Sequence, residues 1–316
     1  MNRCPITFRK CPEERYSREG LRLLSPRLTD LKPFPYSAEQ QRREAVLRVG
    51  KISIQGIQPK LSVILNVKQQ IFSLSNQRAR YIIKPQHATY PHLAENEALT
   101  MSLAQCVGIE VPVHGLVYCQ DGSLSYFVRR FDRIGHNRKL AVEDFAQLSQ
   151  RTRDTKYDSS MERLASILER YCTFPVIEKA KLLQRCLFNF LTGNEDMHLK
   201  NFSLITRNNK IELAPAYDLL NTTIAFMVLG KPLSDIEEVA LPLDGRKKGL
   251  TAHAWLRYYA RERLELTDKT VEGMIANFHD VLRSWHETID ISFLHENEKT
   301  LYHDLLNERS TRLGIE

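Results

Sequence analysis

The sequence lacks any long hydrophobic run. Its 316 residues contain no apolar stretch of about 18 residues, and the N-terminus has no apolar core of signal-peptide length. We therefore expect neither a membrane span nor export by a general signal, and predict a cytoplasmic protein with no membrane partner.

Cysteine is scarce, and its spacing is not that of a metal site. The six cysteines are Cys4, Cys11, Cys106, Cys119, Cys172 and Cys186. They show no paired zinc-type spacing, which disfavours a zinc site. Several lie in helix-like apolar patterns, and we interpret these as reduced, small hydrophobic side chains in a reducing compartment.

The chain also lacks a long basic arm and any recognisable DNA-reading module, although its formal net charge is +7. Its basic residues form only short clusters: Arg42-Arg43, Arg129-Arg130 and Arg246-Lys247-Lys248. Such a charge favours acidic partners such as nucleotides. Because the charge is spread, it is weak evidence for direct DNA binding.

The front half has the pattern of a small sheet with one inserted helix. Prolines make residues 1 to about 47 irregular until a helix at Ala38–Val49. A helix over Leu93–Val107 ends at Gly108, and Asp121-Gly122 marks a hairpin turn. Strands rich in Ile, Val and Tyr are predicted at Lys51–Ile54, Lys60–Leu65, Arg80–Lys84, Val113–Cys119 and Leu124–Phe131.

Beyond about residue 134 the pattern is helical. Apolar residues recur at helical spacing in segments at Met161–Tyr171, Val176–Leu191, Ala254–Arg263, Thr270–Trp285 and Lys299–Arg309. Two short strands are predicted at Phe202–Ile205 and Ile211–Leu213. A β-rich half followed by an α-helical half predicts an α+β, two-lobed kinase-like fold. We divide it into an N-terminal extension (1–49), an N-lobe (50–133) and a helical C-lobe (134–316).

One polar stretch carries the strongest chemical signal. Asp196 and Asn201 have the D-x-x-x-x-N spacing of a kinase catalytic loop, in which the Asp accepts the acceptor's proton and the Asn helps hold magnesium. Lys200 could neutralise charge on the transferred phosphate. Asp218 follows a short apolar strand and would complete the magnesium site with Asn201. The alternatives are a polar turn and, for Asp218, a helix N-cap.

Lys84 ends an otherwise apolar strand, where a kinase carries the lysine that pairs with nucleotide phosphates. Its expected partner is Glu97, which shares a helix face with apolar residues; Glu95 is the alternative. A solvated lysine at a strand end is the competing interpretation.

The segment 51–60 lies where a kinase has its phosphate-covering loop. It contains one glycine rather than the G-x-G-x-x-G pattern. Ser53, Gly56 and Lys60 are its candidate phosphate contacts, and a plain hairpin turn is the alternative.

Together these residues resemble the HipA-like serine/threonine kinases of bacterial toxin–antitoxin systems. The matching stretches, in family order, are SIQGIQPKLS (Ser53–Ser62), YIIKP (Tyr81–Pro85), ENEALTMSLA (Glu95–Ala104), FVRRFDR (Phe127–Arg133), EDFAQL (Glu143–Leu148), GNEDMHLKNFSL (Gly193–Leu204) and LAPAYDLLNT (Leu213–Thr222). They cover about residues 50–225.

The resemblance implies a role for each matching residue. Asp196 would be the catalytic base and Lys200 a phosphate contact. Asn201 and Asp218 would bind Mg²⁺, and Lys84 the phosphates of ATP. The backbone of residues 128–131, which includes Arg129, Arg130 and Phe131, would hold adenine. Ser53 would be a regulatory site of autophosphorylation, although Gln55 and Pro59 depart from the family's loop.

The resemblance also implies partners. About 50 residues precede the phosphate loop, which is similar to the short split form HipT. The N-terminal subdomain of full-length members would then be a separate small antitoxin, with a DNA-binding antitoxin as a third partner. Substrates would be translation components, particularly aminoacyl-tRNA synthetases.

Two other function classes stay open. A small-molecule phosphotransferase, acting on an antibiotic or a sugar, uses a similar Asp/Asn/Asp set. The third class is a module that binds nucleotide and a DNA-binding partner without catalysis. It is disfavoured because all the catalytic residue types are present.

Overall fold

The structure, a computed structural model, describes residues 2–11, 14–49, 58–75, 77–135 and 138–315. The chain divides into two compact units. The first comprises Met1–Leu99, Pro112–Asn137 and Ile291–His295, and the second Thr100–Val111, Arg138–Asp290 and Glu296–Glu316. The boundaries of the three segments predicted from sequence stay predictions. In the described part of the chain, no helix has the length and apolar character needed to cross a membrane.

A five-stranded antiparallel sheet is the centre of the first unit. Its strands are β1 (Leu61–Asn66), β2 (Ile71–Leu74), β3 (Tyr81–Lys84), β4 (His114–Tyr118) and β5 (Leu124–Arg129). They lie in the order β2-β1-β3-β5-β4, so that β3 is central and Lys84 pairs in register with Tyr126. The predicted turn at Asp121-Gly122 is confirmed: Gly122 has φ +82°, which glycine adopts without strain.

Helices precede and interrupt this sheet. α1 (Arg18–Leu24) and α2 (Ala38–Val49) come before β1, and α3 (Leu93–Cys106) follows β3. α1 begins at Ser17, whose hydroxyl accepts a hydrogen bond from Gly20 N at 3.1 Å. α2 has the bounds predicted from sequence, and α3 ends one residue before its predicted last residue. A two-residue strand, β6 (Arg133–Ile134), follows β5.

Residues 2–11 and 14–36 contribute buried side chains to the first unit. Cys4, Tyr16 and Phe34 are buried in the same hydrophobic core as the strands. Leu116 N of β4 donates to Pro5 O at 2.9 Å, and Phe34 N donates to Tyr118 O at 2.8 Å. Among the described residues before α2, the seven-residue α1 is the one helix, so the predicted interruption of long elements is confirmed. The packing of this segment on the sheet was not predicted, because proline limits regular elements but does not prevent a segment from packing on a sheet edge.

The second unit is mainly helical. Its helices are α4 (Phe145–Leu148), α5 (Met161–Tyr171), α6 (Pro175–Leu191), α7 (Thr222–Val228), α8 (Asp268–Ile291) and α9 (Glu296–Leu313), with a π-helical segment at His253–Arg263. Its strands are β7 (Arg138–Lys139), β8 (Val142–Asp144), β9 (Ser203–Arg207) and β10 (Lys210–Leu213), of which the last three form a sheet in the order β10-β9-β8. The fold is α+β and kinase-like, as predicted.

The accuracy of the predictions depended on element length. α5 has the predicted bounds, and α6 begins one residue before the predicted start. β2, α4 and α7 were missed. For the two helices the reason is that a helix of four to seven residues is stabilised mainly by tertiary packing and not by its own sequence. The helix predicted at Ala254–Arg263 is π-helical rather than α-helical, a difference that apolar spacing cannot reveal.

Candidate active site

The candidate catalytic loop leaves the C-terminal end of α6 at Gly193. This glycine has φ +68°, and a Cβ there would lie 2.5 Å from Leu305 Cδ2 and 2.7 Å from Asn221 Oδ1. Its carbonyl accepts hydrogen bonds from Thr223 N at 3.0 Å and Thr223 Oγ1 at 2.9 Å. The start of α7 therefore fixes the loop before Asp196 is reached.

Asp196 and Asn201 are held together within this loop. Asn201 Nδ2 donates to the main-chain oxygen of Asp196 at 2.9 Å, and His198 N donates to the same oxygen at 2.8 Å. A short 3-10 turn at Leu199–Asn201 follows, and Asn201 is buried. The bond uses the amide nitrogen of Asn201 and not its oxygen, the atom that a metal would need.

The segment that carries Asp218 is bonded to the catalytic loop. The hydroxyl of Tyr217 donates to Lys200 O at 2.9 Å and lies 2.5 Å from Ser203 Oγ. Asp218 itself has φ +53°, a left-handed conformation that Asp tolerates better than most residues. The structure therefore brings the three candidate residues Asp196, Asn201 and Asp218 into two cross-linked loops of one unit.

A buried arginine supports the same segment. Arg185 of α6 donates from Nη2 to Ala214 O at 2.8 Å, four residues before Asp218. Burial lowers the pKa of Arg185 from its usual value to about 10. The guanidinium nevertheless remains charged at neutral pH, and it fixes the main chain that leads to Asp218.

Lys200 has a partner that the sequence interpretation missed. Its ammonium lies 2.6 Å from Asp144 Oδ2. Asp144 is also the N-cap of α4, where its Oδ1 accepts from Gln147 N at 2.8 Å and the Gln147 side chain accepts from Asp144 N. This capping box was visible in sequence as D-F-A-Q, but nothing local linked it to a lysine 56 positions away.

Asp196 is contacted by a tyrosine that the sequence also did not reveal. The hydroxyl of Tyr157 donates to Asp196 Oδ1 at 2.5 Å. Burial raises the pKa of Tyr157 well above its usual value, and the hydrogen bond to Asp196 adds to this rise. The phenol therefore stays protonated and acts as the donor.

Glu195, next to Asp196, has a carboxyl group with a raised pKa. Burial raises its pKa to about 7, and the charges of Asp196 and Glu237 act in the same direction. Its main-chain N–H donates to Thr222 Oγ1 at 2.9 Å. Near neutral pH Glu195 is therefore partly protonated, which limits the negative charge next to Asp196.

In the first unit, Lys84 pairs with Glu97 as the sequence predicted. Lys84 Nζ lies 2.6 Å from Glu97 Oε1, and the side chains are 8% and 1% exposed. The alternative, Glu95, instead accepts two hydrogen bonds from Gln86 Nε2, at 2.8 and 2.6 Å. Glu97, and not Glu95, pairs with Lys84 because Glu97 shares a helix face with apolar residues. The phosphate contact of Lys84 stays a prediction.

The predicted adenine-binding segment has its arginines in other contacts. Arg129 donates from Nη2 to Leu23 O at 2.7 Å and to Tyr81 Oη at 2.8 Å. Arg130 forms a two-bond pair with Asp132, at 3.0 and 2.9 Å. The main-chain amides of Arg129 and Arg130 donate to Val113 O and Arg80 O. Phe131, which follows, stays a candidate through its backbone.

Of the three nucleotide contacts predicted in segment 51–60, only Lys60 belongs to the described residues. Ser53 and Gly56 lie outside the described residues. Lys60 is exposed and stands directly before β1. Its position fits a phosphate contact at the start of the sheet, which stays a prediction.

The donor set of the second unit fits magnesium better than zinc. Asn201 and Asp218 offer an amide and a carboxylate oxygen, the hard donors that Mg²⁺ prefers alongside nucleotide phosphates. Among the described residues, no group of three or more His, Cys, Asp and Glu side chains is arranged to hold a metal by itself. A metal bound here would therefore depend on a nucleotide for further ligands.

Comparison with known proteins finds one matching family model and relatives named as kinases. The family model of the HipA-like C-terminal domain matches residues 52–285. The chain is 30% identical over 269 residues to a protein of Haemophilus influenzae with a provisional kinase name, covering 79% of this chain and 75% of that protein. It is 32% identical over 191 residues to the serine/threonine-protein kinase toxin HipA of Shewanella oneidensis, covering 54% of this chain and 43% of the toxin. It thus spans less than half of that toxin.

Two solved structures share the fold. The Shewanella oneidensis HipA, in complex with HipB and operator DNA, superposes with a TM-score of 0.67 at 26% identity, covering 91% of this chain and 73% of that one. The Helicobacter pylori proinflammatory kinase CtkA superposes with a TM-score of 0.56 at 16% identity, covering 77% of this chain and 91% of that one. The second likeness is evidence of fold alone.

Proposed function

Because the chain belongs to the family of HipA-like C-terminal domains, we propose that it is a Mg²⁺- and ATP-dependent serine/threonine protein kinase. The observation that carries the proposal is the cross-linking of two loops. Asn201 holds the main chain of Asp196, and Tyr217, next to Asp218, donates to Lys200 O. The candidate base and the two candidate metal ligands thus lie on two bonded loops of one unit, an arrangement that supports phosphoryl transfer.

In the proposed reaction, Asp196 orients the acceptor hydroxyl and accepts its proton. Lys200 neutralises charge on the transferred phosphoryl group. Its ammonium has three N–H donors, so it can keep its bond to Asp144 and still donate to phosphate. Positioning and charge stabilisation supply most of the rate in such a site.

Asn201 and Asp218 would hold the magnesium, and Lys84 the α- and β-phosphates of ATP. The bound ion would offset the charge of the nucleotide phosphates. The buried Glu97 keeps the Lys84 ammonium in place. Ser53, by its position in the predicted phosphate loop, is the proposed site of regulatory autophosphorylation.

The biological role we propose is that of a toxin in a toxin–antitoxin system. The relatives that support it are a serine/threonine kinase toxin and its complex with HipB and operator DNA. By this analogy the partners are a DNA-binding antitoxin, which would make any DNA contact indirect, and a small antitoxin like the N-terminal subdomain of longer members. The proposed substrate is a translation component such as an aminoacyl-tRNA synthetase.

The test is transfer from γ-labelled ATP and Mg²⁺, to the chain itself and to proteins of a bacterial lysate. Asp196→Asn and Asp218→Asn should each lower labelling by about a hundredfold or more, since each removes a group acting on the transition state. Phosphoproteomics of cells expressing the unaltered chain beside Asp196→Asn would identify the substrate and the state of Ser53.

Asp235→Asn is the matched control, because Asp235 is exposed and contacts Ser234 in a surface turn. It should label like the unaltered chain. Full labelling by Asp196→Asn would reject the assignment of the base. Phosphorylation of an aminoglycoside panel but of no lysate protein would reject a protein kinase.

A further inference from the structure

A two-residue segment, Lys156-Tyr157, is fastened to the candidate catalytic loop. Leu199 N donates to Lys156 O at 3.3 Å, and Lys156 Nζ lies 2.7 Å from His198 Nε2. His198 is buried, so its ring is itself well fixed. Main chain and side chain thus both hold Lys156 against the loop that carries Asp196. We call these two residues the clamp.

His198 and Lys156 fix the ring of Tyr157 from two sides. The ring meets His198 edge to face, with centres 5.1 Å apart and an interplanar angle of 82°. The ammonium of Lys156 lies 4.8 Å from the ring centre. Since the ring is fixed, the position of its hydroxyl is fixed too, at 2.5 Å from Asp196 Oδ1.

We propose that Tyr157 is a positioning residue of the phosphoryl-transfer reaction, whose hydroxyl orients the carboxylate of Asp196 toward the acceptor. The proposal rests on the proposed function of Asp196. With Oδ1 taken by the phenol, Oδ2 is the oxygen left to receive the acceptor's proton. Oδ2 lies 4.0 Å from His198 Nε2, beyond hydrogen-bonding distance, and the Asp196 side chain is 44% exposed.

The physical benefit is a fixed rotamer at an exposed base. A half-exposed aspartate turns freely about its side-chain bonds, and a misplacement of about 1 Å can cost about a hundredfold in rate. A hydrogen bond to a charged group is stronger than one between neutral groups. The bond from Tyr157 therefore selects the productive orientation before the acceptor arrives.

The competing explanation is that Tyr157 occupies the place of the acceptor hydroxyl and blocks the base. A removable block should be joined weakly to the site. The clamp is instead held through its main chain at Leu199 and through its side chains at His198. This arrangement favours a permanent support over a block.

Tyr157→Phe tests the proposal, because it removes one oxygen and keeps the ring on His198. With Mg-ATP, ADP release and self-labelling by the full chain should show kcat lowered about 10- to 100-fold, the worth of one hydrogen bond to a charged group. KM for ATP should stay within about twofold, because the bond acts on the base and not on the nucleotide. Lys156→Gln should lower kcat by a smaller factor.

Tyr171→Phe is the matched control, since the hydroxyl of Tyr171 contacts Leu148 O at 3.4 Å and no residue of the catalytic loop. It should leave both constants unchanged. An unchanged kcat in Tyr157→Phe would overturn the proposal, and an increased kcat would establish a block instead. A parallel loss of kcat and thermal stability in both variants would indicate a merely structural effect and also count against it.

A second readout does not depend on activity. In an NMR titration of ¹³C-labelled tyrosine, Tyr157 should remain protonated where ordinary tyrosines ionise, and Asp196→Asn should shift its pKa downward, because the neighbouring carboxylate charge is lost. An unchanged titration would contradict the contact itself. If the unaltered chain transfers no phosphate to any acceptor, the proposed function is rejected. The titration then tests the Tyr157–Asp196 hydrogen bond independently of activity.

Discussion

At the scale of single residues, burial determines how much the loss of one charge of an ion pair changes the free energy of unfolding. Lys84 and Glu97 are nearly inaccessible, whereas Arg43 and Glu39 on α2 are 74% and 63% exposed at the same 2.6 Å separation. Exposed pairs contribute little because water screens them. In a buried pair, removal of one charge leaves the other in an apolar environment, which is costly.

We therefore expect Lys84→Met to lower the free energy of unfolding by about 3 kcal/mol, because it leaves the Glu97 carboxylate buried without its cation. The double variant Lys84→Met/Glu97→Leu should recover most of this loss, since neither charge remains. Both variants should fail to bind ATP in calorimetry. Urea unfolding followed by fluorescence measures the stability difference.

Glu39→Gln is the control, because the exposed Arg43–Glu39 pair has the same 2.6 Å separation. It should change the free energy of unfolding by no more than about 0.5 kcal/mol. Recovery of ATP binding in the double variant would show that Lys84 acts structurally and not on the nucleotide.

At the scale of elements, the site depends on where helices end. α6 is buried along most of its length and ends at Leu191. Its last turn is therefore a rigid support for the candidate catalytic loop. α7 begins with Asn221 as N-cap, and Thr223 bonds back to Gly193 O. The geometry of Asp196 is thus set by two helix termini, one from each side.

Gly193→Ala should disturb this junction. The new Cβ would lie within 3.0 Å of atoms of Leu305, Asn221 and Thr223, and φ is +68°. We expect a loss of about 3 kcal/mol or more from strain and overpacking together, measured as a shift of the urea midpoint, with phosphotransfer reduced in the folded protein.

Gly230→Ala is the control, because Gly230 also has a positive φ, +87°, but apart from its two chain neighbours no described residue has an atom within 4 Å of the added Cβ. It should cost about 1 kcal/mol, from backbone strain alone. Equal costs at the two positions would contradict the importance of the close contacts at Gly193.

At the scale of the whole molecule, buried side chains before residue 37, such as Cys4, Tyr16 and Phe34, belong to the core of the first unit. They contact the buried residues of β1, β2 and β3, and the main chain of the same segment pairs with β4. Arg129 joins the end of β5 to the last carbonyls of α1. Stability of the sheet and its predicted nucleotide contacts should therefore depend on this segment.

Phe34→Ala should reveal that dependence. Phe34 is fully buried, and removal of a buried phenylalanine costs about 3–5 kcal/mol through lost transfer energy and the cavity that remains. The midpoint of thermal unfolding should fall, and ATP affinity should fall with it. Leu23→Ala, at a residue 47% exposed in the same segment, should change the midpoint little. A small effect at both positions would show that the segment is dispensable.

The sequence by itself determined the local parts of this protein. Helical periodicity placed α5 and α6, and a run rich in Ile and Tyr placed the central strand. Helix geometry chose Glu97 over Glu95 as the partner of Lys84. The D-x-x-x-x-N spacing indicated a kinase loop because both residues belong to one short turn.

The tertiary structure alone decided which distant side chains complete the site. Tyr157 reaches Asp196 across 39 positions, and Asp144 reaches Lys200 across 56. The sequence also did not predict that the proline-rich segment before residue 37 packs on the sheet of the first unit. The physical reason is the same in each case. The tertiary fold determines which distant residues come close to a polar side chain, whereas sequence periodicity indicates only which residues are buried.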